Sequence, residues 1–363
     1  MADEGFERAR PATMRAAQLV GLRDYRIVDA PVPAPAADQA LVRITHVGIC
    51  GSDLSFWRLR HTLNALHPPP APPGSHGHEA SGVVVETGRR LRGVRVGDRV
   101  VRINLVRDRD WDMRCFAEYA LADRPIVVND GDPRRVCFAD PLAVALIHAQ
   151  AAFDPAFTKG RGGATLERVA VGARRRWGAQ PVVVIRGMGF IGVLVAMLLR
   201  AAGAVPVGLE IEPAKTEAAR GCGFDCRDAR DTDAVAHLRA DYGPAAAAIE
   251  CCGASNLDEM VALLDDLGVL VVMGTSRERV DLDYRPLRER GVTLVFPSNA
   301  ALQARTGRTY WEAAARLLER GEIDPLPMVD AVYPLDELQR ALEETEAHPE
   351  WRRTLIEVAR GRR

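Results

Sequence analysis

The apolar positions change rhythm once along the chain, near residue 180. From residue 14 to about 128 they fall in short β-rich runs cut by Gly, Pro and Asp, as at 40–45, 82–86 and 99–103. Short strands with turn signals at that spacing predict an antiparallel, barrel-like domain. The proline-rich stretch 66–74 reads as a loop, because prolines supply no ladder donors. Beyond 180 the order becomes strand, helix, strand. Residues 181–185 predict a buried strand, 190–202 an apolar helix and 205–209 a second strand, with Pro206 tolerable near its start. Runs at 245–251, 268–273 and 292–296 continue the series. This alternation predicts an α/β chain whose second domain is a doubly wound parallel sheet. The expected domains are 14–155, completed by 330–363, and 156–329. The Gly- and Arg-rich segment 158–180 reads as an irregular connection. The tail 333–358 reads as helix then strand, able to pack back on the first domain.

Composition narrows the partners. At 363 residues there is length for two cores, and 47% apolar with 27% charged residues is an ordinary globular balance. A net charge of -1 gives no electrostatic case for nucleic acid or an anionic membrane. The longest apolar run, around 190–199, is too short to span a bilayer. Residues 1–15 carry no apolar core of a signal peptide. Seven scattered cysteines do not form a disulfide framework, so a reducing cytoplasm is the expected location.

The string Gly187-Met188-Gly189-Phe190-Ile191-Gly192 directly follows a predicted strand and opens a predicted helix. In that context Gly187 permits the tight turn, Gly189 lets backbone approach a pyrophosphate, and Gly192 allows close helix–strand packing. Glu210 ends the next strand, roughly 20 residues on, where a carboxylate accepts hydrogen bonds from an adenosine ribose. It would repel a 2′-phosphate, and no arginine follows it at once, so NAD is expected over NADP.

Chemistry of another kind gathers upstream. Cys50, Asp53, His78, Glu79 and Asp140 offer a soft thiolate, an imidazole and carboxylates, a donor set that suits zinc. Three protein ligands would leave a position open for a reacting molecule. Cys50 and His78 are the first two ligands; Glu79 and Asp140 compete for the third, and either could instead hold a metal-bound water. Asp53 is a candidate partner for the second nitrogen of His78.

The strings Cys50-Gly51-Ser52-Asp53-Leu54-Ser55-Phe56-Trp57, His78-Glu79-Ala80-Ser81-Gly82-Val83-Val84 and Asp140-Pro141-Leu142-Ala143 resemble the zinc-dependent medium-chain alcohol dehydrogenase family, most of all its sorbitol (polyol) dehydrogenase branch. The resemblance covers nearly the whole chain. It implies a GroES-like catalytic domain, a Rossmann domain and a cleft between them. It implies catalytic zinc on Cys50 and His78, with Glu79 as third ligand and Asp140 as a water-mediated or exchanging one. It gives Ser52 the relay of the alcohol proton and places Phe56 in the substrate pocket. The implied reaction moves hydride between NAD and the secondary alcohol of a sugar, polyol, cyclitol or amino alcohol. The expected partners are that alcohol or its ketone and further copies of the chain.

Two departures stand out. Ser55 and Phe56 occupy positions where polyol enzymes often carry histidine then tyrosine. Residues 101–119 hold only Cys115, where many relatives place four cysteines around a structural zinc, so one catalytic zinc and no structural zinc is expected. Two rival readings are a zinc-free, NADPH-dependent quinone or enoyl reductase, which needs no Cys50–His78 pair, and a nucleotide-binding relative without activity.

Overall fold

The structure is a computed structural model that describes residues 10–103, 114–154, 180–253, 256–274 and 279–358, with backbone alone at 106–107 and 110–111 and isolated positions at 169–170 and 172. Most of segment 158–180 therefore lies outside the described residues. The chain divides into two compact units, 1–140 with 314–363, and 141–313. The expected limits fell at 155/156 and 329/330. The difference is one helix at the first limit, Ala139–Phe153, and residues 314–329 at the second.

In the first unit, alternating and β-branched residues form strands β1 (Thr13–Gly21), β2 (Asp24–Pro31), β3 (Gln39–Ile49), β4 (Glu79–Thr87) and β5 (Arg99–Arg102). Short strands β6 (Val106–Arg107), β7 (Asp110–Trp111), β8 (Tyr119–Asp123) and β9 (Ile126–Val127) follow. The long β3 is the spine: β4 and β8 pair with it antiparallel, and β5 and β9 extend the sheet beyond β4. The C-terminal tail completes it. Strand β17 (Arg353–Glu357) adds antiparallel to β3, and β16 (Val329–Pro334), just before the predicted tail, lies parallel to β17. Ile44, Val47, Ala80, Val84, Val100, Phe116 and Ile356 fill the core behind this sheet. Stretch 66–74 is loop beyond one short helical turn, as its prolines require.

The second unit holds a six-stranded sheet. Its strands are β10 (Val182–Arg186), β11 (Val205–Glu210), β12 (Asp225–Asp228), β13 (Ala245–Glu250), β14 (Leu264–Val272) and β15 (Thr293–Val295). All pairs are parallel, in the spatial order β12-β11-β10-β13-β14-β15. That is the Rossmann order, and the direction of winding reverses between β10 and β13. Ligands of such sheets bind outside the carboxyl ends of the strands at that switch point. The glycine string follows β10 there.

Candidate metal centre and nucleotide crest

Residue Cys50 sits where β3 ends and helix α1 (Gly51–Trp57) begins. Asp53, fully buried in the first turn of α1, fixes this corner: its Oδ2 accepts the Cys50 amide at 2.8 Å and its Oδ1 accepts the Gly77 amide at 3.1 Å. One carboxylate thus ties the Cys50 corner to the loop that delivers His78 and Glu79 at the start of β4. The ligand atoms of Cys50, His78 and Glu79 all lie within 4.8 Å of one another. His78 and Glu79 are buried and Cys50 is half-buried.

The flanking acids take different places. Asp53 Oδ1 stands 4.0 Å from His78 Nδ1, beyond hydrogen-bond reach, because both its oxygens serve backbone amides. Asp140 Oδ2 stands 3.7 Å from His78 Nε2. Of the two acids that competed for the third place, Glu79 lies inside the compact set and Asp140 at its edge.

The electrostatics follow from this packing. Burial pushes the Cys50 thiol up, but the hydrogen bond and charge of His78, with the charge of Arg353, outweigh it and bring the group down to about 6. Burial works against a charged His78, yet Cys50, Asp53 and Asp140 hold its pKa well above the ordinary value. Burial drives Glu79 up, against the pull of Arg353. That arginine was not foreseen. It reaches in from β17, with Nη1 3.3 Å from Glu79 Oε1 and donating to the Ile49 carbonyl at 2.6 Å. Its signal in the sequence was faint, the second of two adjacent arginines opening a short mixed strand, Arg-Thr-Leu-Ile-Glu.

The fit to a metal rests on what is left over. Glu79 Oε2, His78 Nδ1 and Ser52 Oγ are buried without a hydrogen-bond partner. A buried polar atom left that way costs about 1–3 kcal/mol. A thiol of lowered pKa, an imidazole and a carboxylate with a free oxygen suit a zinc ion. Gly48 makes the room: a Cβ there would come within 2.5 Å of Glu79 Oε2.

At the nucleotide crest, Gly187 has φ +91° and a Cβ would stand 3.1 Å from Cys252 Cβ. Gly189 caps helix α2 (Phe190–Ala201), and a Cβ on it would meet nothing within 4 Å, which leaves open space above the turn. At Gly192 a Cβ would fall 1.9 Å from the Gly187 carbonyl oxygen, so only glycine lets α2 seat against the turn. Phe190 is buried and Ile191 half-buried. Glu210 is buried at the end of β11, its Oε2 accepting the Met188 amide at 2.7 Å and its Oε1 the amides of Ile211 and Glu212 at 2.8 and 3.0 Å.

Comparison with known proteins agrees with both halves. The family model "Alcohol dehydrogenase GroES-like domain" matches residues 36–128, and "Zinc-binding dehydrogenase" matches 191–320, together more than half the chain. The chain is 26% identical over 356 residues to 2-dehydro-3-deoxy-L-galactonate 5-dehydrogenase of Pseudoalteromonas atlantica, covering 95% of this chain and 98% of that one. It is 26% identical to human sorbitol dehydrogenase, covering 89% and 90%. A solved structure of a putative zinc-binding dehydrogenase from Sinorhizobium meliloti, bound to NADP, shares the fold with a TM-score of 0.77 at 23% identity, over 96% of this chain and all of that one.

Proposed function

Because the chain belongs to the zinc-dependent medium-chain alcohol dehydrogenase family, we propose that it oxidises the secondary alcohol of a sugar, polyol, cyclitol or amino alcohol, with NAD as partner and one zinc per chain. The observation that carries this reading is the compact set of half-buried Cys50 with buried His78 and Glu79, with polar atoms left unsatisfied around it. Bound there, zinc would supply a Lewis acid that lowers the pKa of an alcohol hydroxyl, and NAD supplies the hydride acceptor.

The protein's own groups do the rest. Asp53 holds the Cys50 and Gly77 amides and so keeps the ligand-bearing segments in register. Arg353 orients Glu79 from behind. Asp140, beside His78 Nε2, would serve a bound zinc as an exchanging or water-mediated ligand. Ser52 Oγ takes the alcohol proton and passes it outward. In the structure that hydroxyl bonds nothing, and Asp53 supplies the carboxylate that accepts the Cys50 amide at the start of α1.

The turn 187–192 and the N-terminus of α2 would take the pyrophosphate. A carboxylate offers about four acceptor sites, and backbone amides occupy three on Glu210, which leaves one for a ribose hydroxyl. Two like charges about 4 Å apart repel by roughly 1 kcal/mol in water and about 4 kcal/mol at an effective dielectric near 20, so NAD should exceed NADP roughly tenfold or more. All seven cysteines are free thiols and no described helix is long and apolar enough to cross a membrane, which supports a cytoplasmic location.

A panel of secondary alcohols, followed by cofactor reduction with NAD and with NADP, tests the reading. It expects NADH formation with at least one polyhydroxylated alcohol and a gain of NADP use in Glu210→Ala. Equal use of both cofactors by wild type would remove Glu210 from cofactor choice, and silence across the panel would remove the function.

A further inference from the structure

We propose that His76, two residues before the metal-centre histidine, is a substrate-contacting residue whose Nε2 hydrogen-bonds a hydroxyl neighbouring the carbon that is oxidised. The inference rests on the function proposed above and adds to it a requirement for a second hydroxyl.

Three independent features of the imidazole support this. Its ring is locked. Nδ1 pairs with the Tyr25 hydroxyl at 2.5 Å, one face stacks on Phe56 with centroids 3.9 Å apart, and the other face of Phe56 stacks on His61, also at 3.9 Å. Its backbone is held as well, the carbonyl accepting the Cys115 amide at 2.9 Å. Yet the remaining ring nitrogen, Nε2, is buried with no partner, in a residue only 3% exposed. A rigid imidazole with one satisfied and one orphaned nitrogen carries an uncompensated desolvation penalty unless something supplies the missing bond, and fixed orientation is what a binding group needs.

Position supplies the third feature. Two extended residues span at most about 7 Å, so His76 stays within one small-molecule length of His78. Phe56, its stacking partner, lies on α1, the helix that starts at Cys50. The Phe56–His76 pair is thus built on the two segments that carry the metal set.

The partner chemistry follows from the ring. If Tyr25 donates to Nδ1, then Nε2 carries the proton and needs an acceptor; if Nδ1–H donates to Tyr25, then Nε2 needs a donor. A hydroxyl serves either tautomer, whereas a carboxylate serves only one. A site that hydrogen-bonds a substrate hydroxyl discriminates strongly against the analogue lacking it, because its own polar group is then left unpaired.

The test compares trans-1,2-cyclohexanediol with cyclohexanol, molecules that differ by one neighbouring hydroxyl, in wild type, His76→Leu and Tyr25→Phe at saturating NAD. Wild type should favour the diol in kcat/KM by about 10-fold or more. His76→Leu should abolish that selectivity through the diol's KM, retain cyclohexanol turnover and zinc content, and melt close to wild type, since it removes the orphaned Nε2 but leaves the Tyr25 hydroxyl without its partner. Tyr25→Phe, which only loosens the ring, should reduce the selectivity by a smaller factor and guards against a His76 variant that fails to fold. Wild type with equal kcat/KM for the two alcohols, or variants that keep wild-type selectivity, would overturn the inference while leaving the function intact. So would a His76→Leu protein that loses stability and both activities alike. Wild type that oxidises no alcohol at all overturns the parent function and this inference with it.

Discussion

The two chemical centres of this chain are finished to different degrees. Around Cys50, four buried polar atoms on residues 52, 76, 78 and 79 have no partner. At the crest of the second unit, every oxygen of the buried carboxylates Glu210 and Glu250 already accepts at least one backbone amide. Glu210 accepts three amides, and Glu250 accepts Cys252 N at 2.6 Å and Gly274 N at 3.1 Å. A metal and substrate centre must present groups that something else will satisfy, and it carries their desolvation until that happens. A nucleotide crest presents backbone amides at a helix N-terminus and shape instead. Its acids therefore brace the turns, and glycines provide the space. The contrast predicts that substitutions of the metal-facing groups around Cys50 separate activity from stability, and that those of groups already satisfied, at the crest or beside Cys50, do not.

The largest separation should come from Cys50→Ser. Lewis-acid stabilisation is worth several kcal/mol, so turnover should fall about 10³-fold or more while the melting temperature barely moves. A large melting shift would make the metal structural. Arg353→Leu sharpens the contrast from the other side. It strands the buried Glu79 carboxylate and should cost about 3–5 kcal/mol in denaturant unfolding, much of it recovered in the Arg353→Leu/Glu79→Leu double variant. No recovery would mean that Arg353 acts mainly through the Ile49 carbonyl.

Ser52→Ala should lower the rate about 10²–10⁴-fold at unchanged melting temperature, since its hydroxyl bonds nothing in the structure. A lower melting temperature with an unchanged rate would take Ser52 out of the mechanism.

The second unit supplies the smallest effect and a control. His148 is buried, with Nδ1 on the Val144 carbonyl and Nε2 unpartnered, and burial lowers it to about 4. Between pH 6.5 and 4 the unfolded chain binds a proton that the folded one refuses. Stability present above pH 6.5 should therefore fall as the pH drops, by up to about 3 kcal/mol near pH 4. Equilibrium unfolding across that range should show a flatter pH dependence in His148→Leu than in wild type. Identical slopes would show that the acid sensitivity arises elsewhere.

What the sequence disclosed divides along the same line. The Rossmann half was legible because a parallel strand and its helix each carry a local period. The glycine turn also states its own geometry, down to the space that Gly192 leaves for the Gly187 carbonyl. The first unit was legible at Cys50 and His78, whose residue types declare metal chemistry. The partners of those residues were not. Arg353 arrives from some 270 residues downstream through the pairing of β17 with β3, and no local pattern announces such a contact. Asp53 was expected beside His78, but short-range geometry gives its oxygens to the Cys50 and Gly77 amides. His76 passed unnoticed because one histidine between a proline-rich loop and the His78 string has no period to break. Its burial, and the orphaned nitrogen that burial creates, exist only once Phe56 and Tyr25 close around it.

The central claim is that Cys50, His78 and Glu79 hold one zinc on which alcohol oxidation depends, and elemental analysis of the purified protein tests it most directly. The account predicts one zinc per chain in wild type and none in Cys50→Ser. Two tightly held zincs, or none after metal-replete purification, would contradict it.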